Sequence, residues 1–327
     1  MPSIQTVLRD ENRRLRRPFR LVWTEVDRRL RFPIRLLAGF VLFLALAGAG
    51  NQFRPTLLSG GGPLVRTVNM IGRQLPNAVG LTLAVVVAAL LIDRRRLTDL
   101  GLQLDQNWWR GLVGGTALGA GITLFAVGVG LTTGYYEFIG FVRPSHILVW
   151  ILLAIGGAIF QLIFVVPEEL FVRGYLITNV VEGFESVRRV PRWLAAGIGV
   201  LAASGVFYAT HTAGKGEIVG AMMGALSILL GLGYVLSGDL SVPIGIHFGF
   251  NFLGVLAGTN AQPASVLRIT SSTTVQGSLA LPLEAVIVRL VGAVLATGLL
   301  VVWYVTVGSG LQVVPDLTRP ALRWKDN

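Results

Sequence analysis

The stretch VVPEELFVRGYLITNV, residues 165–180, places two adjacent glutamates and an arginine in a run that is otherwise almost wholly apolar. An ionised side chain in hydrocarbon costs at least about 2.5–3.5 kcal/mol on insertion scales, so it persists only where it is paired, solvated or used. If a helix continues through these residues, Glu169 and Arg173 stand at i and i+4 and can pair, whereas Glu168 is turned about 100° away. Pro167 lacks a backbone donor, which frees the carbonyl of Ile163 and predicts a local opening where the carboxylates begin. If residues 147–166 span alone, Glu168 lies at the membrane surface; if the helix runs on, it is buried. The apolar continuation YLITNVV after Arg173 favours the long helix.

The rest of the chain has the same character. Of 327 residues, 53% are hydrophobic and 14% charged, and the mean hydropathy of +0.68 places the chain in a bilayer. Apolar runs of spanning length occur near 34–50, 77–92, 111–132, 147–166, 193–211, 218–236, 240–257 and 283–307. The expected fold is an all-α polytopic membrane bundle of about eight transmembrane helices with an intramembrane polar cavity. The first run follows more than thirty residues that include Asp10, Glu11, Glu25 and Asp27, so it reads as a retained span rather than a signal peptide. The absence of cysteine excludes a disulfide framework, a thiolate metal site and a cysteine nucleophile.

The net charge of +11 does not point to nucleic acid, because the arginines flank apolar segments and fill the N-terminal arm. With the N-terminus inside, twenty basic residues fall on the inner side and six on the outer, while Arg173 and Arg289 lie within helices. That asymmetry predicts both termini inside, and the expected setting is a prokaryotic plasma membrane. Four parts are expected: a basic interfacial arm at 1–33, attracted by anionic lipids; three spans within 34–140; a catalytic core at 141–258; and, over 259–327, an outward polar loop, the last span and an inner tail. The polar segment 258–278 is the longest loop. Gly115 with Gly119 and Gly220 with Gly224 are small pairs that let helices approach closely.

Two further polar groups interrupt the apolar spans. Phe207 and His211 lie near the end of the fifth, and His247 and Asn251 share one helix face in the seventh. A carboxylate beside an imidazole can activate water, and an imidazole beside an amide supplies donors for an oxyanion. Glutamate with two histidines, here Glu168, His211 and His247, is also compatible with zinc holding an open position for water, so the cofactor stays open. A structural ion pair explains Glu169 and Arg173 equally well, and a lone membrane histidine is commonly a satisfied packing residue. Glu168 and Asn251 together with both histidines shift the balance toward hydrolysis. His146 reads as interfacial, and Arg289 as snorkelling or pairing with Glu284.

Glu168-Glu169 with Arg173 (EExxxR), Phe207 with His211 (FxxxH) and His247 with Asn251 (HxxxN), in this order on successive spans, resemble the motif set of the CAAX protease and bacteriocin-processing (CPBP) intramembrane endopeptidases, also labelled type II CAAX prenyl proteases. The resemblance covers roughly residues 145–258. It implies an all-helical intramembrane endopeptidase acting on membrane-associated or prenylated peptides, with Glu168 and His211 holding and activating water and His247 and Asn251 stabilising the oxyanion. Glu169, Arg173 and Phe207 would organise the site. A non-catalytic adaptor or immunity protein with the same fold is the rival reading, and a proton-coupled transporter a weaker one, since no inverted repeat is visible. One feature resists all of them. His247 lies roughly 12 Å along its helix from the inner side and His211 roughly 28 Å, so straight parallel helices would keep them apart unless the fifth starts well outside the bilayer or tilts strongly.

Overall fold

The computed structural model describes residues 22–24, 27–142, 146–187, 189–213, 216–259, 264–271, 283–306 and 310–317. The arm up to residue 21, most of the outer polar loop and the basic tail beyond 317 lie outside them. Among the described residues the bundle consists of α1 (Phe32–Gln52), α2 (Pro63–Ile92), α3 (Gln106–Thr132), α4 (Ile147–Glu185), α5 (Arg192–Thr212), α6 (Glu217–Ser237), α7 (Ser241–Leu256) and α8 (Leu283–Thr306). All but α7 are long and apolar enough to cross a membrane. The chain is an integral, multi-pass, all-α membrane protein.

Two helices are longer than their apolar cores. The second begins at Pro63 rather than near 77 and carries Pro76 inside it. Its polar first half is helical because those side chains find local partners: Asn69 accepts from the backbone N–H groups of Leu57 and Leu58 at 2.8 and 2.9 Å, and Asn77 donates to the carbonyl of Ala47 at 3.1 Å. The fourth runs unbroken past the charged stretch, as the apolar continuation predicts. It is α-helical to Glu169, widens into π turns over Leu170–Ile177 and returns to α over Thr178–Glu185. The proline thus leads into a change of pitch, a feature that recurs at functional sites, and not into a break. The first half of α4 exposes Ile147, Leu148, Ile151, Leu152 and Ile155 to lipid, whereas every residue from 169 to 181 is buried.

The short α7 is held inside the bundle by backbone contact with α3. An added Cβ on Gly119 would fall onto the carbonyl of Ile246, 2.7 Å from its carbon, and one on Gly249 would lie 2.9 Å from the carbonyl carbon of Thr116. Sixteen residues suffice for α7 because it need not face lipid along its length. Residues 241–247 are buried throughout.

The two ends of the bundle are tied differently. At one, the start of α1, the end of α2 and the end of α4 meet in a buried charge cluster. Arg29 and Arg95 pair with Glu182, Arg35 reaches Glu182 at 3.1 Å, and Asp93 lies 3.5 Å from Arg95 and 3.9 Å from Arg35. Asn179 donates to Asp93 at 2.5 Å, and the Tyr175 hydroxyl donates to the carbonyl of Arg35 at 2.9 Å. Burial lowers the pKa of Arg29 against the opposing pull of Glu182, and raises that of Asp93 against Arg35 and Arg95. Arg29, in the segment expected to lie at the membrane surface, and Arg35, at the start of the first span, are therefore engaged by carboxylates of the protein itself. Buried carboxylates need counter-ions more than a wet headgroup layer does.

At the opposite end two short strands pair antiparallel, Tyr136–Phe141 with Leu267–Ser271, with an irregularity between Phe138 and Gly140. Hydropathy alone left this pairing as loop. Beside it Arg289 is buried and donates to the Tyr136 hydroxyl at 3.1 Å and to its own helix at Ala285 at 3.0 Å. The tyrosine takes the place expected for water or Glu284, whose side chain lies outside the described residues.

Candidate active site

The three polar groups come from α4, α5 and α7, and the side chain joining them is Phe207. Its ring lies 4.6 Å from that of His211 and 5.8 Å, edge to face, from that of His247, centroid to centroid. The Arg173 guanidinium covers the same phenyl face at 4.4 Å, a cation–π contact strengthened by the absence of water. Arg173 is fully buried and donates through Nη1 to Glu169 Oε1 at 2.9 Å and through Nη2 to Ser227 Oγ at 2.6 Å. Glu169 Oε1 also takes the Nδ1 edge of His247 at 2.7 Å.

The spacing of Glu169 and Arg173 anticipated their ion pair, but it did not anticipate that the same carboxylate oxygen holds His247. A carboxylate only accepts, so Nδ1 carries the proton and the ring orientation is fixed, with Nε2 as the edge not engaged by Glu169. His211 Nδ1 lies 2.9 Å from the carbonyl of Phe207, one turn back, and 3.3 Å from Thr210 Oγ1. Glu168, half-buried, follows Pro167 on α4 and is near enough to act electrostatically on Arg173. Asn251 lines, with Phe207, His247, Met223, Leu226 and Phe250, a cavity of about 20 Å³, room for a single water or a methyl group. His146 is exposed just before α4, apart from this group.

The difficulty over helix depth resolves through overhang. From Glu169 to the end of α4 the helix continues for roughly 24 Å at about 1.5 Å per residue, and α5 returns antiparallel for roughly 22 Å before it reaches Phe207. The fifth helix therefore begins well beyond the level at which α7 begins, and its far end comes back to the level of Arg173. Among the described residues no three His, Cys, Asp or Glu side chains converge as metal ligands. Nδ1 of His247 faces Glu169, which leaves Nε2 as the ring edge open to a further partner.

Comparison with protein families adds one finding. Residues 143–253 match the family described as type II CAAX prenyl endopeptidase, Rce1-like. Over that stretch the chain is similar to this family. All three motifs fall inside it, and its limits lie close to those read from the motifs alone. No curated protein and no solved structure matches the chain. The matched segment contains α4 to α6 and most of α7, so the match and the packed polar group coincide. Protease activity of the CAAX type is what that match suggests. Ser227, which carries no part of any motif, is the site residue that spacing missed. A lone hydroxyl in an apolar helix gives no signal until its partner is known.

Proposed function

We propose that the protein is an intramembrane endopeptidase that hydrolyses peptide bonds of membrane-associated or prenylated, CAAX-type substrates. The observation that carries this reading is the meeting of the α4, α5 and α7 motifs around Phe207, beside a water-sized cavity lined by His247 and Asn251. Glu168, with His211, takes a proton from water as its oxygen attacks the peptide carbonyl, and returns it to the departing amine. His247 and the Asn251 amide stabilise the tetrahedral oxyanion. Glu169 orients His247, and Arg173 balances the paired carboxylates that would otherwise repel across α4.

On this reading residues 141–258 form the catalytic core, 1–33 an interfacial arm near anionic lipid, and 34–140 and 259–327 the flanking spans and loops. The bias of twenty basic residues against six supports both termini on the inner side of the membrane, which we take to be a prokaryotic plasma membrane.

The test is to compare the membrane peptidome of cells carrying the native chain with that of cells carrying Glu168→Gln, and then to assay the purified proteins in proteoliposomes on the peptides that differ. Loss of cleavage with substrate binding retained is expected. Cleavage by correctly folded Glu168→Gln would overturn the role of that carboxylate, and an identical peptidome would favour the adaptor reading.

A further inference from the structure

Some buried hydroxyls of this bundle bond to the carbonyl one turn back on their own helix, and others reach across to a neighbouring helix. Ser204 donates to Val200 at 2.9 Å and Thr67 to Pro63 at 3.0 Å, the usual fate of a hydroxyl in an apolar helix, whereas Thr123 donates to the carbonyl of Phe250 on α7 at 2.9 Å and Thr178 pairs with the Tyr234 hydroxyl on α6 at 2.9 Å. Ser227 on α6 is fully buried, belongs to the second group, and is the one of these that accepts from a charged donor, Arg173 Nη2 at 2.6 Å. Arg173 is the junction of the site. Through Nη1 it holds Glu169, and through Glu169 the Nδ1 edge of His247. Through its face it covers Phe207, and through Phe207 it meets His211. One hydrogen bond at Nη1 leaves a guanidinium free to pivot about that contact, whereas a second at Nη2 fixes its plane, and with it the surface on which Phe207 rests.

We propose that Ser227 is a positioning residue of the site: by fixing the Arg173 guanidinium plane from α6, it sets the placement of both His247 and His211. The catalytic meaning of that placement rests on the endopeptidase reading; the placement itself does not. The link from Ser227 to the histidines runs through Arg173. It also brings α6 into the site, a helix on which none of the three motifs lies, and it neighbours Leu226 and Met223 of the cavity wall.

The chain has three histidines, so [15N]histidine-labelled protein in nanodiscs gives three imidazole signal sets, assignable by single substitutions. Ser227→Ala is expected to displace the signals of His211 and His247 and to leave His146 unmoved. Ser227→Thr, which keeps the acceptor, retains the native positions, and Ser204→Ala, which removes a neighbouring buried hydroxyl, leaves all three in place. Should alanine not fold, Ser227→Cys, similar in size with a weak acceptor, repeats the test. On a substrate from the peptidome comparison, Ser227→Ala is expected to lower kcat about tenfold to a hundredfold with KM little changed, as a misplaced site does. Unmoved His211 and His247 signals in folded Ser227→Ala, or equal displacement by Ser204→Ala, would overturn the proposal. Absence of cleavage by the native protein would sink the endopeptidase reading while leaving the spectroscopic result to decide the role of Ser227.

Discussion

Glu169 and Arg173 carry opposite charges at 0% exposure, and each is the principal counter-ion of the other. Removing one member of such a pair leaves an uncompensated charge in a dry interior, a loss of about 3–5 kcal/mol, whereas removing both takes that charge away with its partner. Arg173→Met and Glu169→Gln are each expected to lower the thermal stability of the purified protein sharply, and the double variant to be more stable than the sum of the two losses. A double-mutant cycle from denaturation in detergent measures this coupling, and additive losses would show that the pair is solvated in a way its burial contradicts. The i, i+4 spacing of the pair was legible from the chain. Its attachment to His247 was not, because the partner lies 78 positions away and only packing brings it to 2.7 Å.

Among the helices, the contact of α3 with α7 sets where His247 and Asn251 stand. Gly245 and Gly249 bracket His247, and a methyl on either would meet the α3 backbone, which cannot turn aside as a side chain can. Gly249→Ala is expected to cost about 1–3 kcal/mol, the usual range for overpacking, and to displace α7 enough to reduce any cleavage along with stability. Gly121→Ala, on the open side of α3 where nothing lies within 4 Å of an added Cβ, should be neutral or slightly stabilising, since alanine is the better helix former. Equal stability of the two variants in thermal denaturation would refute the backbone-contact argument. The small pair at Gly115 and Gly119 marked one side of this interface in advance. The other side escaped notice because its glycines share a helix with the more conspicuous His247 and Asn251. A local opening was expected at Pro167, and the helix instead changes to π pitch over Leu170–Ile177, all of it buried. What the local rule could not show was that neighbours on every side would hold the widened segment closed.

Across the molecule, Glu182 connects parts of the chain far apart in sequence, accepting from Arg29, Arg35 and Arg95. Replacing it with Gln leaves three buried guanidinium groups facing one another with Asp93 as their remaining close buried acid. Glu182→Gln is expected to destabilise by about 3–5 kcal/mol, and hydrogen exchange should show protection lost first in α1, which is tied to α4 through this cluster and through the Tyr175 bond to Arg35. Uniform loss of protection along the bundle would count against a local latch. The sequence by itself determined that this chain enters a bilayer, how many apolar helices it folds into and which few residues interrupt them, because hydropathy and the cost of burying charge act locally along the chain. It also carried the three motifs and their order. Tertiary structure alone decided that α4 overhangs so that α5 can return Phe207 to Arg173, that Glu169 holds His247, that Ser227 closes the group from α6, and that the arginines at the start of α1 serve Glu182. Each of these depends on which helices touch and at what height. Helix periodicity fixes the direction of a side chain around its own axis and is silent about the neighbour it meets.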